Sequence, residues 1–276
     1  MMTYRVSHTV EKRIERITYT PNYPRFATPI VFQHGMWHGA WCWEPWQKLL
    51  AEWGWESHAH SLPGHGGSLV QRPIRWCTLQ YYYAFLNDEI QRQERPPVLI
   101  GHSMGGALTQ WHLKYGSPLP AAVLVASWPH DTMVQRDIFW NIWRLDRWVF
   151  LRNLLALSAT PMIRTPRHAA ALFLTAGALL SPEELHTRLG PESAWVLMQH
   201  QPPFWYPPHP ETIRTPLLCV AGGADAAFPE IIERRLATYY GADSTVAEGA
   251  GHDVMLERFS AETARRIHNW LAMRVP

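Results

Sequence analysis

The stretch Gly101-His102-Ser103-Met104-Gly105-Gly106 concentrates the chemistry of this chain. It fits the G-x-S-x-G pattern, in which a serine sits on a sharp turn between a strand and a helix. The flanks agree with that setting. An apolar run, Pro97-Val98-Leu99-Ile100, precedes it, and a helix-like run, Ala107-Leu108-Thr109-Gln110-Trp111-His112-Leu113, follows. Such a turn strains the serine backbone and needs neighbours without Cβ so that strand and helix approach closely. It pushes the Ser103 hydroxyl into the open at the sheet edge and aims the Met104 N–H at whatever Ser103 attacks.

A serine hydroxyl is a poor nucleophile until a base takes its proton and a third group orients that base. Two downstream signals supply candidates. Gly222-Gly223-Ala224-Asp225 follows one predicted strand, and Gly249-Ala250-Gly251-His252 follows the next. The carboxyl ends of parallel strands share one edge, so both loops point to the edge that carries Ser103. Asp131 and Asp243 are the rival acids for Asp225. A fourth signal, His34-Gly35-Met36-Trp37, follows the strand at 29–33. An oxyanion hole needs two preorganised donors. Met104 N–H is one, and Met36 N–H is the expected second, with Trp37 N–H as the alternative. His34 and His102 flank these donors and are expected to shape the loops.

The positioning elements read as alternating strands and helices. Tyr4–Tyr19 is expected as an opening strand pair, followed by strands at 29–33, 55–60, 97–100 and 121–126. Helices are expected over Ala40–Trp53, Leu79–Gln93 and the run after the serine. This alternation indicates a mostly parallel central sheet flanked by helices. It breaks after Ser127. From 128 to 210 the helical runs Asp137–Leu157, Arg167–Ala178 and Pro182–Gln199 follow one another without a convincing strand, closed by the stiff Pro202–Pro210 stretch. The pattern then resumes with strands at 216–221 and 244–247 and helices over Glu230–Tyr240 and Ala261–Met273. The expected architecture is therefore an α/β core, 1–127 and 211–276, with a helical cap, 128–210, inserted into it.

His34-Gly35, Leu62-Pro63-Gly64-His65-Gly66, Gly101–Gly106, Gly222-x-x-Asp225 and Gly251-His252, in this order and each after a predicted strand, resemble the α/β-hydrolase fold superfamily. The closest flavour is its esterase, lipase and lysophospholipase-like members with a helical cap. The resemblance spans both core segments and leaves the cap unassigned. One position departs from it: many relatives carry Asp just before Leu-Pro-Gly-His-Gly, and this chain has Ser61. The resemblance implies a Ser103–His252–Asp225 triad and an acyl-enzyme, with no metal or organic cofactor. A Ser nucleophile argues against dehalogenase and epoxide hydrolase chemistry, which normally uses a carboxylate.

Composition narrows the rest. With 276 residues and 47% hydrophobic content, the chain has material for one large core. A net charge of +2 leaves no electrostatic footprint for nucleic acid. Cys42, Cys77 and Cys219 lack close pairs and suggest neither disulfides nor zinc. His58-x-His60 with His65 invites a metal reading, but no carboxylate or cysteine completes a site. The polar start and the lack of a long apolar run suggest a cytoplasmic protein without stable membrane insertion. Trp is unusually dense, at 15 residues. Trp37, His102, Trp128, Trp140 and Trp143 are the candidates for substrate contacts. The cap run from Phe139 to Leu151, apolar nearly all round, is expected to cover an apolar pocket, with plain packing and binding to a membrane surface as the alternatives; a membrane-surface lid would show a cleaner polar face. These readings converge on a serine hydrolase acting on a small apolar ester. Thioesterase, acyltransferase or perhydrolase, C–C hydrolase and lyase chemistries on the same scaffold are alternatives, and a non-catalytic receptor is a further one.

Overall fold

A computed structural model describes residues 3–131, 140, 143–144, 146–201 and 203–275. The chain opens with a hairpin, β1 (Tyr4–Glu11) and β2 (Ile14–Pro21). Its two turn residues, Lys12 and Arg13, both have positive φ, 49° and 69°. Primed hairpin turns require this because it matches the twist of the strands. β2 then pairs antiparallel with β4 (Ser57–His60). From there the sheet is parallel: β4, β3 (Ile30–Gln33), β5 (Val98–His102), β6 (Ala122–Val125), β7 (Leu217–Gly222) and β8 (Asp243–Ala247). The order is β1-β2-β4-β3-β5-β6-β7-β8. β3, β5 and β6 are buried along their whole length, the mark of parallel strands covered on both faces. The mostly parallel sheet flanked by helices is the architecture expected from the sequence.

The flanking helices start where local chemistry lets them. The run after Ala40 begins as a 3₁₀ turn and becomes α1 (Glu44–Glu52) only at Glu44, with Pro45 in its first turn, where proline is suited. Thr78 caps α2 (Leu79–Gln91) by accepting the Tyr81 N–H. α3 (Met104–Tyr115) follows Ser103 and packs on β5 and α2. α1 packs against the C-terminal helix, Ser260–Ala272. Cys42, Cys77 and Cys219 are free and buried. No helix among the described residues is long and apolar enough to cross a membrane.

Between β6 and β7 lie α4 (Val149–Ala156), α5 (Pro166–Phe173), α6 (Pro182–Arg188) and α7 (Ala194–Gln199). Two expectations need correction here. The single helix over Pro182–Gln199 is two helices, because Pro191 cannot continue the first and biases Gly190 away from helical geometry. The helix expected over Asp137–Leu157 is not one helix: Trp140, Trp143 and Arg144 are helical, the chain turns at Asp146–Trp148, and α4 follows over Val149–Ala156; 132–139, 141, 142 and 145 lie outside the described residues. The intervening segment is tied to the rest through Glu192. Its buried carboxylate accepts from Tyr82 Oη at 2.9 Å and the Ser193 N–H at 2.7 Å, and lies 3.1 Å from His65 Nε2. Glu257 makes a second tie by accepting from the Thr175 N–H and hydroxyl.

Candidate active site

Ser103 is the hinge between β5 and α3, at φ 53° and ψ −117°. A non-glycine residue at this angle is strained and persists only where its surroundings hold it. They do so here. The Ser103 N–H donates to Val125 O at 3.0 Å, and its carbonyl accepts from Gly106 N at 2.9 Å and Trp128 N at 3.3 Å. The loop after β3 closes on the same residue. A Cβ on Gly35 would stand 2.9 Å from Ser103 Cβ and 3.0 Å from His102 Nδ1, so only glycine lets this backbone approach so closely. The Met36 and Met104 N–H groups flank that approach, and neither has a hydrogen-bond acceptor among the described residues. Trp37, also in the loop, is buried at φ 63° with its ring 5.7 Å from Phe173.

Asp225 and His252 come from the loops after β7 and β8. These loops touch backbone to backbone: a side chain on Gly222 would run into the Gly251 carbonyl. His252 Nδ1 lies 2.8 Å from Asp225 Oδ2. The other oxygen, Oδ1, accepts the N–H groups of Ala227 at 2.7 Å and Phe228 at 2.8 Å. The carboxylate is therefore fixed on both sides, and Nδ1 of His252 is the nitrogen that carries the proton. Of the three candidate acids, only Asp225 meets His252. Asp131 stands beside His130, and Asp243 bonds Trp270 and Arg274 at the far end of β8.

Burial is the largest influence on His252 and works against its charged form. The charge and hydrogen bond of Asp225, helped by the charge of Asp253, outweigh it and raise the pKa above the ordinary 6.5. His34 and His102 go the other way. Burial drives both well below the ordinary value, reinforced by neighbouring histidines. His34 accepts the Leu62 N–H on Nε2 at 3.0 Å and donates from Nδ1 to Gly35 O at 2.7 Å, which shapes the loop.

The aromatic candidates divide. His102 is fully buried, with Nε2 3.1 Å from the His252 carbonyl and its ring 4.8 Å from the His252 ring. This is support for His252 rather than the substrate contact expected of it. Trp128 is buried next to Ser103 through its N–H, with its ring 4.5 Å from His200. Trp140 and Trp143 are half-exposed and pack edge-on against each other at 5.4 Å, so the structure lends no support to a place in a closed pocket. Around His252 itself the rings are Phe173 at 5.8 Å and Phe228 at 5.2 Å.

Three features escaped the sequence. His38 Nε2 lies 3.0 Å from Asp253 Oδ2, fully buried, and His38 Nδ1 donates to Met36 O at 2.7 Å. This second His–Asp pair links the loop bearing Met36 to the residue after His252. The only hint was the adjacency of Asp253 to His252. Ser61, the departure from the family pattern, bonds the Ala40 N–H at 2.8 Å and donates to Glu15 Oε2 at 2.6 Å. The carboxylate that relatives carry at that position arrives here from β2. Phe173, from the segment between β6 and β7, was hidden because nothing in a helical run marks which ring reaches the sheet edge.

Residues 30–266 match the alpha/beta hydrolase family. The chain belongs to that family. Among curated relatives, it is 34% identical over 105 residues to the pFDCC methylesterase MES16 of Arabidopsis thaliana, covering 35% of this chain and 38% of that protein. It is 28% identical over 128 residues to the pheophorbidase of Raphanus sativus, covering 44% and 48%. The chain thus spans less than half the length of these two relatives. The crystal structure of the Arabidopsis methylesterase protein MES16 superposes with a TM-score of 0.66 at 18% identity, over 90% of this chain and 100% of that one. This second likeness is one of fold.

Proposed function

We propose that this family member is a serine carboxylic ester hydrolase that works through an acyl-enzyme, with Ser103, His252 and Asp225 as its triad. The observation that supports the reading is that four strands, β3, β5, β7 and β8, end at the same edge of the sheet. Their loops carry the Met36 amide, a strained serine followed by the Met104 amide, a buried carboxylate, and the histidine whose Nδ1 that carboxylate meets. Ser103 Oγ attacks the ester carbonyl while His252 Nε2 takes its proton. The Met36 and Met104 N–H groups bind the oxyanion, and the imidazolium rests on Asp225. Collapse of the intermediate expels the alcohol, which leaves with the proton held by His252. Water, deprotonated in turn by His252, then attacks the acyl-enzyme, and the acid is released as His252 returns that proton to Ser103 Oγ.

The segment 128–210 serves in this reading as a cap that supplies Trp128 and Phe173 to an apolar substrate wall. One curated relative is named a methylesterase, so methyl esters of apolar acids are the first candidates. The test is a p-nitrophenyl ester series of increasing acyl length, with the methyl esters of the same acids, run on wild type and Ser103→Ala. The expected result is a maximum of kcat/KM at one acyl length, abolished in the variant. Near wild-type hydrolysis by Ser103→Ala overturns the proposal.

A further inference from the structure

Helix α4, Val149–Ala156, is built against the usual rule for a helix on a protein surface. Its inner positions are Val149 and Asn153, and the asparagine is only 7% exposed. Its leucines face water: Leu154 is 66% exposed and Leu155 78%, with Leu151 beside them. Trp148, which immediately precedes the helix, is exposed as well. Trp148, Leu151 and Leu155 stand at i, i+3 and i+7 and share a face. The buried Asn153 has a local role, its amide donating to Val149 O and Ser158 O, but folding of this chain alone gains nothing from placing the leucines and the tryptophan outside. A local rule broken in this way marks a surface kept for something else.

The charge around the helix narrows what that is. Between residues 140 and 180 the chain holds five arginines and one aspartate, with no lysine and no glutamate. The whole chain carries only +2, so the rest of it is net acidic. The single aspartate, Asp146, is buried and held by Arg152 at 2.7 Å and by Arg164. Arg147 and Arg167 remain exposed. Exposed leucines and a tryptophan on one short helix, with the exposed Arg147 next to the tryptophan and the exposed Arg167 on the same inserted segment, complement a bilayer with anionic headgroups. The leucines enter the acyl boundary, the tryptophan suits the headgroup level, and the arginines meet phosphate. An acidic protein would answer the arginines but gives no reason for so many bare leucines.

We propose that α4, with Trp148 and the exposed Arg147 and Arg167, docks this protein peripherally onto anionic phospholipid bilayers without crossing them. The surface lies on the same inserted segment whose Gly190 N–H bonds Trp37 O at 2.7 Å, next to the loop that closes on Ser103. Docking would hold that segment at the lipid surface, where apolar esters collect.

The test is flotation of the full-length protein with phosphatidylcholine vesicles, plain or carrying about 30 mol% phosphatidylglycerol. The expected result is at least about tenfold more binding to the anionic vesicles, lost as salt rises to about 0.5 M. A double variant, Leu154→Ser with Leu155→Ser, should lose at least about tenfold of that binding, since both side chains are the proposed apolar contact. It should keep its thermal midpoint and its rate on water-soluble p-nitrophenyl acetate. Ser103→Ala should bind vesicles like wild type, which separates this proposal from the fate of the catalytic one. Equal or absent binding to the two vesicle types overturns it, as does unchanged binding by the leucine variant. A wild type that self-associates through this face, becomes monomeric in the leucine variant, and binds no lipid would also overturn it and assign the face to a second copy of the chain.

Discussion

At the carboxyl edge of the sheet, groups that belong in water are buried, and most are answered by a partner. His252 rests on Asp225, Asp225 on two backbone amides, and His38 on Asp253. On helix α4 the inversion runs the other way: leucines that belong in a core face solvent while an asparagine is buried. Both regions spend stability, in opposite currencies. A buried, partnered ionisable group has a defined proton position and a shifted affinity for it, which suits chemistry. An exposed apolar face holds contact area in reserve, which suits association. The same sheet and helices thus carry one region whose polar groups are largely partnered and one whose apolar groups are not.

The comparison breaks first at Ser103. If the proposed triad acts as a unit, replacing it with alanine should lower kcat by about 10⁶, and steady-state ester hydrolysis reads this directly. Asp225→Asn should cost about 10⁴ in kcat, by favouring the wrong imidazole tautomer while leaving the packing intact. Gly35→Ala places a methyl group against Ser103 and shifts the loop that carries Met36. Loss of one oxyanion donor is worth about 10² to 10³ in kcat, and that is the drop expected with little change in KM.

The pH profile gives a finer contrast. His252 must be neutral to accept the serine proton, and its pKa stands above 6.5. Activity should therefore fall as pH drops, with the acid limb of kcat/KM above 6.5. Asp253 contributes to raising that pKa, so Asp253→Asn should move the limb to lower pH. A limb that stays in place would show that Asp253 serves only packing. The smallest effect belongs to the other region. Leu155→Ser should change stability by no more than about 0.5 kcal/mol, whereas Leu99→Ala in the fully buried β5 should cost about 2–5 kcal/mol. Chemical denaturation of both variants checks this contrast.

The candidate site at the carboxyl edge was legible in the sequence because each of its parts is local. A G-x-S-x-G turn, a strand ending in glycine and Asp225, and a strand followed by Gly251-His252 each announce themselves within a few residues. The parallel sheet then brings them together without further information. The His38–Asp253 pair spans 215 residues and has no local mark. The break at Gly190-Pro191 was written in the proline, yet the apolar periodicity on either side outweighed it. The outward face of α4 was only one of several readings of the run ending at Leu151. An apolar run predicts burial, and only the fold reveals that its leucines point outward. Trp140 and Trp143 gain no support for the same reason, since ring density says nothing about direction.

The most direct measurement is covalent labelling with a fluorophosphonate probe, read by intact-protein and peptide mass spectrometry. Such a probe reacts with a serine only when a base and an oxyanion site activate it. The account expects one adduct per chain, on the peptide containing Ser103, with a rate that falls as His252 is protonated, and no adduct in Ser103→Ala. An unlabelled wild type, or an adduct that persists in Ser103→Ala, would contradict it.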